Sequence, residues 1–133
     1  MKKRQRALNS KLLKVKNNNM ANYSIDCTKK PLGRIATEIA SILQGKKNPS
    51  YDPRLEGDDT VTVHNVEELA LTGRKADQKI YYSHTTQIGH LKERKLSDVV
   101  AKHGKKYILC HAVERMLPKN KLQIRRMKRI TFV

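Results

Sequence analysis

An amphipathic segment between two strand-like runs constrains the fold of this chain more than any other feature. The segment is "PLGRIATEIASILQGK", and its apolar residues recur three or four positions apart, as on one face of a helix: Leu32, Ile35, Ala36, Ile39, Ala40 and Leu43. Pro31 suits the first turn of a helix, and Gly45 suits the position just past its end. We therefore predict a helix over this segment, with one face buried.

The runs on either side of this helix predict strands. "YSIDC" precedes the helix, and in "TVTVHN" Val61 and Val63 alternate with polar residues at the period of a strand. Two strands joined by a helix pair in parallel, because a tight hairpin cannot connect them across that distance. The class is therefore α/β, with helices covering a small sheet.

The remaining segments continue this alternation. "KKNPSYDPRLEGDD" has two prolines and several turn formers, which predicts a surface loop. Asn65, with Glu68 three residues on, predicts a helix start, and "KIYYSH" predicts another strand. Residues 95–103 and 107–117 have the pattern of helices, and "RITFV" predicts a final strand.

Charge divides the chain into a body and two basic ends. The 133 residues include 29 Lys or Arg and 12 Asp or Glu, for a formal net charge of +17. All the acids lie between Asp26 and Glu114, where 15 cations leave a net charge of only +3. We assign residues 1–20 to a basic arm and residues 21–133 to one domain of ordinary size. The cations outside the body are Lys2, Lys3, Arg4, Arg6, Lys11, Lys14 and Lys16 at one end and Arg115, Lys119, Lys121, Arg125, Arg126, Lys128 and Arg129 at the other.

Cationic runs without acids indicate a polyanionic partner, and we predict RNA contacts for both ends. A membrane fits less well, because no apolar run approaches the ~18 residues of a spanning helix and the N-terminus lacks the apolar core of a secretory signal. An acid-free basic N-terminus also fits an organellar transit peptide, and this alternative stays open.

No motif predicts a catalytic site, a metal site or a cofactor. Cys27 and Cys110 form no CxxC motif, and we expect both to be buried thiols. Asp58 and Asp59 are expected in a solvated turn that leads into a strand. Neither HxxxH nor HExxH spacing occurs among the five histidines, which are His64, His84, His90, His103 and His111.

The strand-to-helix junction "IDCTKKPLGR" could hold an anion at the helix start. Free backbone N–H groups and the helix dipole favour negative charge there, and Lys29, Lys30 and Arg34 add cations. The junction matches neither GxxxxGK[ST] nor GxGxxG, so it predicts no particular nucleotide. A plain helix start with Gly33 packed on the sheet is the alternative.

The basic stretch "ERMLPKNKLQIRRMKR" also contains enough apolar residues to fold. If residues 119–129 form a helix, Ile124 and Met127 turn toward the body, and one face carries Lys121, Arg125, Lys128 and Arg129. Pro118 ends the preceding helix and places Arg115 and Lys119 at a bend. Aromatic residues are scarce, with five Tyr, one Phe and no Trp, so we expect recognition of phosphates and RNA shape rather than stacked bases.

Four blocks, in this order, resemble one family: "IDCTKKPLGRIATEIASILQGKKNPSYDP", "TVTVHNVEELALTGRK", "KIYYSH" and "AVERMLPKNKL". They are similar to the bacterial type of large-subunit ribosomal protein thirteen, over about residues 23–133. The resemblance implies a single three-layer α/β/α domain around a small parallel sheet of about four strands. It also implies no enzymatic activity, and binding to large-subunit rRNA early in assembly, beside neighbouring ribosomal proteins.

The resemblance further implies which side chains contact RNA. Besides the C-terminal stretch, these are Lys29, Lys30, Arg34, Lys46, Lys47, Arg54, Arg74, Lys75, His84 and Lys92. The chain departs from the family pattern at Arg115, after Thr85, and at Leu122–Ile124. We expect a cytoplasmic or organellar large ribosomal subunit as its location, with no membrane and no small-molecule substrate. The alternatives are a small α/β nucleotide-binding enzyme and a regulatory RNA-binding protein outside the ribosome.

Overall fold

The computed structural model describes residues 21–133, and the predicted basic arm of residues 1–20 lies outside them. The α/β class is confirmed. Besides a single 3-10 turn at Val66–Glu68, the elements in chain order are β1 (Asn22–Asp26), α1 (Leu32–Leu43), β2 (Thr60–His64), α2 (Lys75–Gln78), β3 (Ile80–His84), β4 (Leu91–Lys95), α3 (Leu96–Met116), α4 (Lys121–Met127) and β5 (Ile130–Phe132).

The main sheet has three parallel strands in the order β1-β2-β5. Ile25, Val63 and Phe132 stand side by side across it, so all three point to the same face. The predicted strand at "KIYYSH" forms but does not join this sheet. As β3 it pairs antiparallel with β4, which corrects the expectation of about four parallel strands. The short connection between β3 and β4 permits a hairpin, whereas parallel pairing needs a long crossover.

The predicted helix over the amphipathic segment is confirmed as α1. Its apolar stripe is buried against β2 and α3, and its buried residues are Ile35, Ala36, Ile39, Ala40, Ile42 and Leu43. Gly45, just past the end, has φ of +77°, a conformation that glycine adopts without steric cost. Leu109 and Val113 of α3 complete the same core cluster. Both long helices therefore pack on the apolar face of the sheet.

The other face of the sheet is polar. Asn22, Ser24 and Asp26 of β1 are exposed there, beside Thr62 and Thr131 of the neighbouring strands. Alternation along each strand separates these residues from the core side.

Gly104 divides α3 into two helical halves. Its φ of 75° and ψ of 171° are non-helical, and the break lies between the two helices predicted from the sequence. Leu96 and Val99 of the first half form a second apolar cluster with Ile108, and Tyr81 of β3 packs against it. The amide of Leu96 also donates to the Lys79 carbonyl at 2.9 Å. The first half of α3 thus fixes the hairpin to the body.

Two arginines bind the loop before β2 from the C-terminal segment. Arg126 of α4 donates from Nε to the Glu56 carbonyl at 3.1 Å and from Nη2 to the Leu55 carbonyl at 2.7 Å. Arg129 donates to the carbonyls of Glu56 and Gly57. Desolvation by burial lowers the pKa of Arg129, and the nearby Glu56 carboxylate opposes that change. We call this pair the arginine clamp.

The arginine clamp corrects two expectations for the C-terminal helix. Arg126 is only 1% exposed, so its guanidinium cannot reach an RNA phosphate, and Arg129 is mostly buried. Ile124, expected to turn toward the body, is 69% exposed, whereas Met127 does pack on the core. Compared with the prediction, α4 is rotated about its axis so that Arg126 faces inward and Ile124 faces solvent. This orientation lets the buried Arg126 donate hydrogen bonds to loop carbonyls, because a polar group removed from water needs such partners.

Asp59 also departs from its expected place in a solvated turn. It is fully buried directly before β2 and accepts a hydrogen bond from Asn48 Nδ2 at 2.9 Å. Its other oxygen lies 3.4 Å from the amide nitrogen of Ala21. Asp59 thus joins the loop after α1 to the start of the sheet.

Replacing Ile39 by Ala tests the core. Ile39 is fully buried in α1, and we expect Ile39→Ala to lower the free energy of unfolding by about 2–5 kcal/mol, because it leaves a cavity. Ile88→Ala is the control, since Ile88 is fully exposed at the hairpin tip and its loss leaves no cavity. Urea denaturation followed by circular dichroism measures both changes, and equal losses would contradict the assigned core.

Neighbouring arginines on α4 test the clamp. Arg126→Leu removes a buried donor from two loop carbonyls, and we expect a loss of about 2–4 kcal/mol in the free energy of unfolding. Arg125→Leu makes the same chemical change where the side chain is 69% exposed, and should cost less than about 0.5 kcal/mol. Chemical denaturation of the two variants in parallel decides this; a larger loss for Arg125→Leu would refute the clamp.

Candidate nucleic-acid interface

The turn between β1 and α1 is held by hydrogen bonds to the segment that follows β2. The Lys29 amide donates to the Glu68 carbonyl at 3.2 Å, and the Ala70 amide donates to the Lys30 carbonyl at 3.0 Å. Lys29 has φ of +54°, which lets the chain reverse before the helix. The backbone of the turn is therefore fixed while the side chains of Lys29 and Lys30 remain exposed.

Asp26 fixes the start of the same turn. Its Oδ1 accepts hydrogen bonds from Thr28 Oγ1 at 2.8 Å, from the Thr28 amide at 3.1 Å and from Asn65 Nδ2 at 3.0 Å. These bonds, that of the Thr28 hydroxyl first, lower the pKa of Asp26 to about 2. The carboxylate stays ionised at neutral pH, so it joins the two loops at the carboxyl end of the sheet.

A first cationic surface surrounds the start of α1, and we call it the α1-start surface. Arg34 lies in the first turn of α1, and Lys75 and Arg115 line a cleft beside Gly33. A Cβ on Gly33 would meet no atom within 4 Å, so this glycine is not packed on the sheet, contrary to one alternative above. The exposed members of this surface are Lys29, Lys30, Arg34, Arg74, Lys75 and Arg115.

A second cationic surface combines α4 with the loop after α1, and we call it the α4 surface. The arginine clamp holds the two segments together, and Arg54 directly precedes Leu55, whose carbonyl accepts a hydrogen bond from the clamp. Arg125 Nη1 is 3.5 Å from a Glu56 oxygen, and Lys47 is 3.6 Å from Glu38. These pairs are exposed and weak, which leaves the cations available. The exposed members are Lys46, Lys47, Arg54, Lys119, Lys121, Arg125 and Lys128.

The two surfaces lie toward opposite ends of α1. α1 has 12 residues and is about 18 Å long at 1.5 Å per residue, but the two surfaces approach each other after α3, where Arg115 and Lys119 are four residues apart. The predicted RNA-contacting cations of residues 21–133 that are exposed thus fall mainly into two groups. His84 and Lys92 belong to neither group and are exposed on the β3–β4 hairpin.

Some cations that the sequence did not single out have clear places in the structure. Lys105 donates to the carbonyls of Glu67 and Leu69 at 2.6 and 3.1 Å and so stabilises the fold. Lys79 and Arg94 line the same cleft as Lys75 and Arg115. Arg94 lies in "LKERK", which carries charges on both faces of an exposed strand. This pattern could have identified Arg94 as an exposed cation.

The cysteines and the possible metal ligands take no part in either surface. Cys27 is fully buried, as expected, and Cys110 is partly buried. Burial raises the pKa of both thiols, which favours the protonated and unreactive form. Within residues 21–133, no three His, Cys, Asp or Glu side chains are grouped so as to hold a metal ion. No helix in this part of the chain is long and apolar enough to cross a membrane.

Comparison with known proteins gives one consistent result. Large ribosomal subunit protein uL13 of Clostridioides difficile is 46% identical over 108 residues, which cover 81% of this chain and 75% of the relative. The uL13 of Lactiplantibacillus plantarum is 48% identical over 100 residues, covering 75% of this chain and 67% of the relative. Large ribosomal subunit protein uL13m of Schizosaccharomyces pombe is 48% identical over 100 residues, covering 75% and 64%.

The family model described as Ribosomal protein L13 matches residues 20–132, almost the whole of the described structure. This match includes the strand–helix–strand unit, the hairpin and the C-terminal helix that together present the two cationic surfaces. The resemblance seen in the four sequence blocks is therefore confirmed. The chain belongs to the ribosomal protein L13 family.

Proposed function

We propose that this chain is a structural constituent of the large ribosomal subunit that holds rRNA between its two cationic surfaces. The proposal rests on one observation: some cations form hydrogen bonds inside the fold, and the others are exposed on its surface. Arg126, Arg129 and Lys105 are used inside the fold, whereas the cations of the two named surfaces are exposed on a fixed backbone. Exposed cations held in place by the fold suit a partner whose phosphates are also fixed.

The arrangement fits phosphate contacts better than base-specific contacts. Lys and Arg bind phosphate oxygens without regard to sequence, and such contacts set the position and register of the nucleic acid. Two groups of exposed cations on different elements of one fold can engage separate RNA segments and hold them in one arrangement. We therefore assign a scaffolding role, in which the protein stabilises one arrangement of rRNA, and we extend the proposal to a role early in subunit assembly, as the family resemblance implies.

The exposed cations of the described residues that we assign to RNA are the α1-start surface, the α4 surface, His84 and Lys92. We also assign the cations of residues 1–20 to RNA, on the grounds of their charge alone. The partners are large-subunit rRNA and neighbouring ribosomal proteins, by analogy with relatives that are named as large ribosomal subunit proteins. Neither the enzyme nor the free regulatory protein receives support from these relatives.

Removing charge from the α4 surface tests this assignment. We expect Lys121→Gln/Arg125→Gln/Lys128→Gln to weaken binding to large-subunit rRNA and to flatten the salt dependence. The slope of log K against log salt should fall by up to about 0.9 for each duplex phosphate that the variant no longer neutralises. Filter binding or fluorescence anisotropy between about 50 and 200 mM salt measures it.

A second triple variant controls for net charge alone. Lys95→Gln/Lys102→Gln/Lys106→Gln removes three exposed cations that lie outside both surfaces. We expect it to keep nearly the original slope. If both triple variants flatten the slope equally, the α4 surface is not a specific RNA contact and only the total charge matters.

A further inference from the structure

A cleft lies between the β3–β4 hairpin and α3. Its volume is about 790 Å³, within the range of sites that hold small molecules or cofactors. α2 and the start of α1 close its sides, through Lys75 and Gly33 respectively. It therefore adjoins the α1-start surface, with which it shares Lys75 and Arg115.

The floor of the cleft is apolar and aromatic. Leu32, Leu71, Leu96 and Val99 line it together with the ring of Tyr81. Three further rings follow along α3: Tyr107 lies 4.9 Å from His103 and 6.3 Å from His111 between ring centroids. His111 meets Tyr81 edge to face at 5.2 Å. Such a floor favours a flat, weakly polar group over an ion.

The rim of the cleft is cationic. Lys75, Lys79, Arg94 and Arg115 all line it, and no Asp or Glu does. Cross-strand pairing of Arg94 with Tyr81 puts both on the cleft side of the hairpin, whereas Glu93 alternates to the other side. The same alternation puts Lys92 on the cleft side, nearer the hairpin tip. The hairpin thus continues the positive rim away from the cleft.

We propose that this cleft binds one unstacked nucleobase of an RNA strand, with the flanking phosphates on the cationic rim. The inference rests on the proposed function and adds a ligand group that phosphate contacts alone do not require. A nucleobase offers a π-face to an aromatic ring whatever its identity, and its own backbone supplies the anions. An apolar protein segment would match the floor but leave the four cations of the rim without partners.

Tyr107 is the ring best placed to stack on the base. Its side of α3 faces the cleft, and the residue is 49% exposed. Tyr81 is less available, because it packs against the second apolar cluster and Lys79 Nζ lies 5.8 Å from its ring centroid. Tyr82 also lines the cleft and is 56% exposed, but it alternates with Tyr81 along β3 and pairs with Glu93 on the other side of the hairpin. We therefore assign a single looped-out nucleotide, rather than a stacked strand, to the Tyr107 ring.

Two RNA-like heptamers of equal charge test the proposal. One carries a single adenine at its centre and abasic riboses elsewhere, and the other is abasic throughout; both carry a fluorescent dye for anisotropy. We expect the full chain to bind the adenine heptamer about tenfold more tightly than the abasic one. Tyr107→Leu should abolish this preference and leave the salt-dependent binding of the abasic heptamer unchanged. Tyr107→Phe retains the ring and should keep the preference.

Three other outcomes would each refute the cleft, the proposed function or the kind of ligand. Equal, salt-dependent binding of both heptamers refutes the base-binding cleft while the proposed rRNA binding stands. Absence of binding to both, and to rRNA fragments, refutes the proposed function together with the cleft. If adenosine monophosphate alone competes at the concentration at which the adenine heptamer binds, the cleft is a site for a free nucleotide and the proposal for an RNA strand is wrong.

Discussion

Parallel pairing of β2 with strands on both sides is the constraint on which the rest of the structure depends. Val61 and Val63 are fully buried at the centre of the core, and the backbone of β2 pairs with β1 and with β5. The carboxyl end of β2 leads into the segment that fixes the turn at Lys29 and Lys30, and its other end follows the loop held by the arginine clamp. One central strand therefore positions both cationic surfaces, which explains how a small sheet can present two fixed groups of charge.

A chain with a net charge of +17 has to fold while its cations repel one another. Some of these cations form hydrogen bonds with backbone carbonyl oxygens inside the fold. Arg126, Arg129 and Lys105 donate to backbone carbonyls of loop segments, so these charges hold the segments in place. The remaining cations lie on the segments that are fixed in this way. The buried and the exposed cations are thus interdependent, because the buried ones hold the segments on which the exposed ones lie.

Much of the fold is predictable from the sequence because periodicity is a local property. The stripe from Leu32 to Leu43 and the alternation around Val61 identify α1 and β2 correctly. The partner of β3 is not predictable in this way, because "LKERK" is fully exposed and carries no apolar alternation. The place of Arg126 is not predictable either, because its burial depends on a loop some 70 residues earlier in the chain. The cleft could not be predicted, since Tyr81 and Tyr107 line one cleft only through the packing of the hairpin on α3. Local patterns predict elements, and long-range contacts decide which charges and rings are exposed.

Sedimentation of native cell lysate through a sucrose gradient tests the central claim most directly. The chain is located in the gradient by peptide and intact-mass spectrometry, first at moderate and then at high salt. A large-subunit constituent should sediment with the large subunit at close to one copy per subunit, and should remain there at moderate salt. Recovery only from the soluble fractions at both salt concentrations would contradict the structural role in the ribosome.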